Sequence, residues 1–313
     1  MGRRARSWSW RRGVVALVVL LVAVGGVSAA VAMRPAPAPG FVVAAVGDIA
    51  CTAEDERQET ECQHEATSSV VAELEPQLVL ALGDLQYPSG KLEDFTTSYD
   101  RSWGAFKGIT RPVLGNHETQ DPGAAGYFSY FGAAAGDPAR GYYSFDAGSW
   151  HVVALNSECG EDGCLDKGSD QETWLRRDLA ANDAASTLAF WHRPRFSSDT
   201  KRGNDASTRH LWGALQEAGA DLVLSAHAHT YERFAPSDAE GRADSGGMRS
   251  FVVGTGGKSL YPMGPRQLQS EVAQDTTFGV LGLTLRSTSY EWEFASVEGG
   301  DFTDTGTAEC STS

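Results

Sequence analysis

No Cys-x-x-Cys pair and no cysteine–histidine spacing that builds a thiolate metal site occurs in this 313-residue chain, so its five cysteines are read as disulfide formers. Cys51 and Cys62 flank a polar loop, Cys159 and Cys164 flank Gly160-Glu161-Asp162-Gly163, and these two local pairs leave Cys310 over. Basic residues are scarce. The 26 Lys and Arg against 41 Asp and Glu give a formal net charge of −15, a surface that repels nucleic-acid backbones and anionic membranes. A small anionic substrate held by metal stays open, because a bound cation dominates its local field. There is no internal repeat and, outside one short proline-spaced stretch, no low-complexity segment.

The one long hydrophobic run stands at the start. Arg3, Arg4, Arg6, Arg11 and Arg12 precede an apolar stretch, Gly13 to Ala32, that closes on the small residues Ser28-Ala29-Ala30-Val31-Ala32. Residues 1–32 read as an export segment, either a cleaved signal peptide or, at about 20 apolar residues, an uncleaved anchor with its basic end inside. No cysteine follows the run, which argues against a lipid anchor. The expected location is outside the cell or on the outer face of the cytoplasmic membrane, with membrane contact only through this segment. Residues 33–40 form a Pro/Ala linker, and residues 41–313 are expected to form one catalytic domain. Without the five leading arginines the formal charge becomes −20.

Within that domain five short apolar runs each end on a metal-ligand type. They are Phe41–Val46 before Gly47-Asp48, Leu78–Leu82 before Gly83-Asp84, Pro112–Leu114 before Gly115-Asn116-His117-Glu118, Thr187–Trp191 before His192, and Leu222–Ala226 before His227. Such runs predict buried strands, and in an open α/β sheet ligands gather beyond the carboxyl ends of the strands. Helical periodicity falls at 63–75, 92–106, 170–182 and 205–218, a strand pair at 142–146 and 151–156, and strands at 251–253, 280–285 and 290–297. Alternating βα units followed by mostly β structure predict an α/β fold of two packed sheets with helices outside. Asp48, Asp84, Asn116, His192, His227 and His229 offer two carboxylates, an amide oxygen and three imidazoles, more than one ion needs and suited to two transition-metal ions. His227 and His229 alternate along the chain, so they serve one ion each, or one of them packs.

The succession Gly47-Asp48, Gly83-Asp84-Leu85-Gln86-Tyr87, Gly115-Asn116-His117-Glu118, Trp191-His192-Arg193-Pro194 and Ala226-His227-Ala228-His229-Thr230-Tyr231-Glu232-Arg233 resembles the calcineurin-like metallophosphoesterases, and within them the purple acid phosphatase branch. The resemblance covers about residues 41–257 in motif order. It implies a four-layer α/β/β/α sandwich with two packed mixed sheets and a binuclear centre. Ion one would take Asp48, Asp84, Tyr87 and His229; ion two would take Asp84, Asn116, His192 and His227. Tyr87 as a phenolate implies Fe(III), paired with Fe(II), Zn or Mn. The implied chemistry is hydrolysis of a small phosphate monoester by in-line attack of a metal-bound hydroxide. His117 is the catalytic candidate for phosphate binding or leaving-group protonation, Asn116 also contacts substrate, and Arg193, Arg195 and Lys201 are candidate phosphate contacts. A phosphodiesterase or nucleotidase on the same scaffold, and a catalytically silent metal- or phosphate-binding surface protein, are the competing readings. Two departures stand out: Ala226 replaces a glycine, and the loop from Arg193 to Asn204 lacks the histidines that acid phosphatases of this branch carry there. The sequence does not define the oligomeric state.

Overall fold

The computed structural model describes residues 40–52, 62–159 and 163–311. The export segment and most of the linker lie outside these residues. No helix among the described residues is long and apolar enough to cross a membrane.

The first strand, β1 (Phe41–Val46), sits inside a six-stranded mixed sheet of order β13-β12-β11-β1-β2-β3. Its partners β2 (Leu78–Ala81) and β3 (Thr110–Pro112) run parallel, whereas β11 (Gly279–Leu285), β12 (Ser289–Ser296) and β13 (Thr305–Glu309) are antiparallel. The second sheet has seven strands in the order β10-β8-β9-β7-β6-β5-β4. There β5 (Trp150–Ala154), β6 (Ser186–Phe190), β7 (Leu222–Ser225) and β9 (Met248–Val253) are parallel. The strands β4 (Tyr143–Ala147), β8 (Tyr231–Ser237) and β10 (Ser270–Gln274) join antiparallel.

Period-two alternation assigns each strand of the second sheet to two cores. Trp150, Val152, Ala154, Leu188, Phe190, Leu222 and Leu224 face the first sheet, while Val153, Ala189 and Val223 face Leu175, Leu211, Trp212 and Leu215 of the outer helices Asp170–Ala181 and Arg209–Glu217. Helix His64–Leu74 packs on β1, β11 and β12. The result is an α/β/β/α sandwich. Aromatic pairs bolt the sheets together: Tyr231 on Phe294 with centroids 4.4 Å apart, Phe251 on Trp292 at 5.8 Å and Trp150 on Tyr290 at 5.9 Å.

The helix expected over 92–106 is instead a chain of short α, π and 3₁₀ turns from Leu92 to Ile109. Thr96 and Thr97 both turn their hydroxyls back onto the Glu93 carbonyl, at 2.9 and 2.8 Å, a competition that loosens helical turns. Phe95, Tyr99 and Trp103 keep the helical spacing and are fully buried. Both expected disulfides form, Cys51–Cys62 and Cys159–Cys164, and Cys310 is free.

Glu232 and Arg233, adjacent in sequence, hold different segments. Glu232 accepts from the backbone N–H and hydroxyl of Ser198, at 2.7 and 2.5 Å. Arg233 grips Asp304 through Nε at 2.7 Å and Nη2 at 3.1 Å, and the Tyr231 hydroxyl donates to the same carboxylate at 2.8 Å. Asp304 is 7% exposed, so removing it leaves the Tyr231 phenol without its acceptor and the guanidinium with Glu271 alone. Asp304→Ala is expected to lower stability by about 3 kcal/mol, read as a fall in the urea midpoint at unchanged slope; an unchanged midpoint refutes this role.

Candidate metal centre

The carboxyl ends of β1, β2, β6 and β7 meet where the two sheets abut, and the turns that follow them are sharply bent. Asp48, Asp84 and His227 have φ of 59°, 50° and 67°, half of the six non-glycine residues with positive φ among those described. A non-glycine side chain in this region costs of order 1–3 kcal/mol and persists only where the surroundings enforce it. Gly83, with φ of 87°, lets the Asp84 turn touch His192, since a Cβ there would lie 2.7 Å from the imidazole Nδ1. Gly115 brings the Asn116 turn against the backbone of Asp84, where a Cβ would lie 2.1 Å from the amide nitrogen.

Seven of the expected site residues converge here. Tyr87 Oη lies 2.9 Å from Asp48 Oδ1, 3.3 Å from Asp84 Oδ2 and 3.0 Å from His229 Nε2. His229 Nε2 is also 3.2 Å from Asp48 Oδ1. On the other side His192 Nε2 lies 3.2 Å from Asp84 Oδ2 and 3.1 Å from His227 Nδ1; Asp84, His192 and His227 form a candidate metal-binding group. His117 adds its backbone N–H to Asp84 Oδ1 at 2.7 Å. Asp84 therefore stands between the two sets. The Asn116 side-chain oxygen is buried and accepts no hydrogen bond.

The imidazoles are turned for ligation. Nδ1 of His192 lies 2.9 Å from the Leu82 carbonyl and Nδ1 of His229 lies 3.0 Å from the Ser259 carbonyl. A carbonyl accepts only, so each Nδ1 carries the proton and each Nε2 presents its lone pair to a carboxylate. Lone pair against carboxylate is repulsive unless a proton or a cation lies between. Burial pushes the His192 imidazole down, but the Asp84 carboxylate outweighs it and lifts it to about 10. Burial pushes Asp84 up, yet His192 and His117 hold it well below the usual carboxylate range. Burial and the His192 charge together push His227 down to about 2. Burial, Asp48 and Asp84 hold the Tyr87 phenol well above its ordinary value, so only a strong Lewis acid would make it a phenolate. An orphaned amide oxygen, two inward lone pairs and two buried carboxylates fit metal ions.

Glu118 is the functional residue that strand-end reasoning missed, although it lies inside the Gly115–Glu118 block. Its fully buried carboxylate accepts four backbone N–H groups: Asp84 and Gly115 at 2.9 Å on Oε2, Leu85 at 2.9 Å and Gln86 at 3.2 Å on Oε1. Tyr261 had no sequence signal; its ring stacks on His229, centroids 3.9 Å apart. Arg193 departs from expectation. Its guanidinium is committed to Glu158 by three contacts of 2.9 to 3.0 Å. Arg195 likewise donates to the Ala239 carbonyl.

Two mixed sheets that deliver carboxylates, a phenol, an amide and imidazoles to one point define a metallophosphoesterase-like sandwich with a candidate metal site. The chain belongs to the calcineurin-like phosphoesterase family, whose profile matches residues 41–231. Among curated proteins it is similar to purple acid phosphatase 15 of Arabidopsis thaliana, 31% identical over 194 residues that make up 50% of this chain and 36% of that protein. It is also similar to purple acid phosphatase 22 of the same plant, 35% identical over 121 residues, 37% of this chain and 27% of that protein. The chain thus spans well under half the length of these relatives. Among solved structures, purple acid phosphatase PPD1 from yellow lupin seeds superposes with a TM-score of 0.71 at 22% identity, covering 87% of this chain and 55% of that one. A dimetal phosphatase from Danio rerio gives 0.57 at 13% identity, covering 85% and 99%.

Because a proton on His192 occupies the position a cation would take, metal uptake is expected to compete with it. The affinity of the metal-free protein for Zn or Mn should fall by about tenfold per pH unit as pH drops below the His192 value. Calorimetry in buffers of different ionisation enthalpy reads this as net proton release; pH-independent affinity refutes it.

Proposed function

We propose that the chain is a binuclear metal-dependent phosphoesterase that hydrolyses small phosphate monoesters outside the cell. The observation that carries this reading is the convergence of Asp48, Asp84, Tyr87, His192, His227 and His229 on one buried point, with Asp84 between the two halves and the orphaned Asn116 amide oxygen in the turn packed on Asp84. Asp48, Asp84, Tyr87 and His229 would hold one ion, and Asp84, Asn116, His192 and His227 the other. A phenol beside two carboxylates favours ferric iron in the first position, with Fe(II), Zn or Mn in the second. When bound, such ions lower the pKa of water to near neutrality and offset the charge of the ester's non-bridging oxygens.

The remaining steps belong to the chain. His117 is 20% exposed at the mouth, with its ring 4.2 Å from that of Tyr87. Its Nδ1 lies 2.5 Å from the Pro88 carbonyl, which fixes the proton there and aims Nε2 toward the centre, 3.8 Å from Asp84 Oδ2. Once the ring is doubly protonated, that nitrogen is the group to give its proton to the departing alkoxide. The Asn116 amide can hold the phosphoryl oxygens as well as a metal. The two disulfides support an oxidising, exported setting.

A diesterase is the second reading; a cleft of about 880 Å³, lined by Tyr142 and Trp174, includes Leu114 and Thr119, which flank Asn116 in sequence. Turnover of an aryl phosphate monoester beside a bis-aryl diester separates the two, and metal-loaded protein inert to both would sink the hydrolase reading. His117→Gln is expected to lower kcat on an alkyl phosphate by about 10²–10⁴ while leaving metal content intact; wild-type rates rule out the acid role. Iron-loaded protein should absorb visible light by charge transfer from Tyr87, and Tyr87→Phe should bleach it. A colourless, fully active zinc or manganese form would overturn the iron assignment alone.

A further inference from the structure

The loop after His192 carries two cations that no step above uses. Ser198 is clamped by Glu232, its carbonyl accepts from Gly264 N at 2.7 Å, and its hydroxyl accepts from Gln267 N at 2.9 Å. Thr200 N and its hydroxyl both donate to the Pro262 carbonyl, at 3.3 and 2.9 Å. The carboxylate of Asp199 caps the backbone N–H groups of Lys201 and Arg202, at 3.1 and 2.5 Å. Both loops are therefore stitched together, and Tyr261 N in turn donates to the His229 carbonyl at 3.0 Å.

These contacts place charge above the centre. The Lys201 ammonium stands 3.8 Å from the centroid of the Tyr261 ring, and the Arg202 guanidinium 5.9 Å from it. The same ring stacks on His229 with planes 7° apart, which leaves only its other face to the ammonium. His229, Tyr261 and Lys201 are thus three successive layers. Both cations are exposed, and among the described residues neither forms an ion pair, whereas Arg193 and Arg195 are already committed. In a chain of net charge −15 this is a local positive rim beside the one place a phosphoryl group would bind. It lies one aromatic layer from His229, an expected ligand.

We propose that Lys201 and Arg202 form a specificity site for a second anionic group on the leaving group, so that the preferred substrates are phosphoesters carrying two separated anions. This rests on the phosphoesterase reading of the centre beneath it. Guanidinium and ammonium groups suit phosphate or carboxylate, and the Tyr261 ring keeps Lys201 upright without neutralising it.

Glucose 1,6-bisphosphate and glucose 6-phosphate differ only in the second anion and serve as the probe pair. In metal-loaded wild type, kcat/KM is expected to favour the bisphosphate, and in Lys201→Glu/Arg202→Glu the bisphosphate-to-monophosphate ratio should fall at least tenfold, through KM. An unchanged ratio, or equal loss on both substrates, overturns the site. Should wild type turn over neither sugar, these two phosphomonoesters are not its substrates and calorimetry decides the rim by itself. At least tenfold weaker bisphosphate binding in the variant, with unchanged thermal unfolding, supports it; equal binding overturns it.

Discussion

The carboxylate of Glu118 holds two turns as one body, and the centre's geometry depends on that grip. By accepting the N–H groups of Asp84, Leu85, Gln86 and Gly115 it fixes the turn that carries Asp84 and Tyr87 against the turn that carries Asn116 and His117. Burial and the Asp84 charge push its carboxyl up, while the inward N–H dipoles oppose them. Four donors on two oxygens leave no room for either turn to slide. The expected ligands are thereby held facing one another across contacts near 3 Å.

Strain and close approach complete the arrangement. Asp48, Asp84 and His227 each sit at a left-handed corner. The corner turns the chain back as soon as a strand ends, so the side chain points over the sheet edge instead of along the strand. Such corners persist because the surrounding bonds over-determine them: Asp48 N donates to the Gly83 carbonyl, and Asp48 Oδ2 receives the His227 N–H. The loop after β9 seals this side, with Gly256 N and Lys258 N donating to the Gly47 and Asp48 carbonyls. Stability is thus spent locally to hold the donor set, with a proton on His192 in the place a cation would take.

How much of this the sequence disclosed follows from physical cause. The central strands and the ligands that end them were readable because strands buried on both faces are continuous apolar runs, and Gly-Asp or Gly-Asn after such a run marks the turn. The outer strands β10 and β13 were not, since Ser270–Gln274 and Thr305–Glu309 are edge strands with few apolar residues. Helix Ala125–Phe131 was hidden by the glycines and 3₁₀ turns around it. Tyr87 was placed by likeness to a family, and it does meet His229, whereas Arg193 found Glu158, a partner that no spacing announces. The Lys201–Tyr261 layer joins residues 60 positions apart through loop pairing alone, which a pattern of apolar residues cannot encode.

The neighbour of β1 on its antiparallel side is β11, and Phe41 meets Leu285 across that pairing. A ribosome emits these segments far apart in time. The strand that ends on Asp48 cannot settle into its sheet until nearly the whole domain has been synthesised, so the centre cannot form on a partial chain. Non-local pairing of this kind folds slowly, and the interval during which the apolar strands stand open is when the nascent protein is most in need of a chaperone.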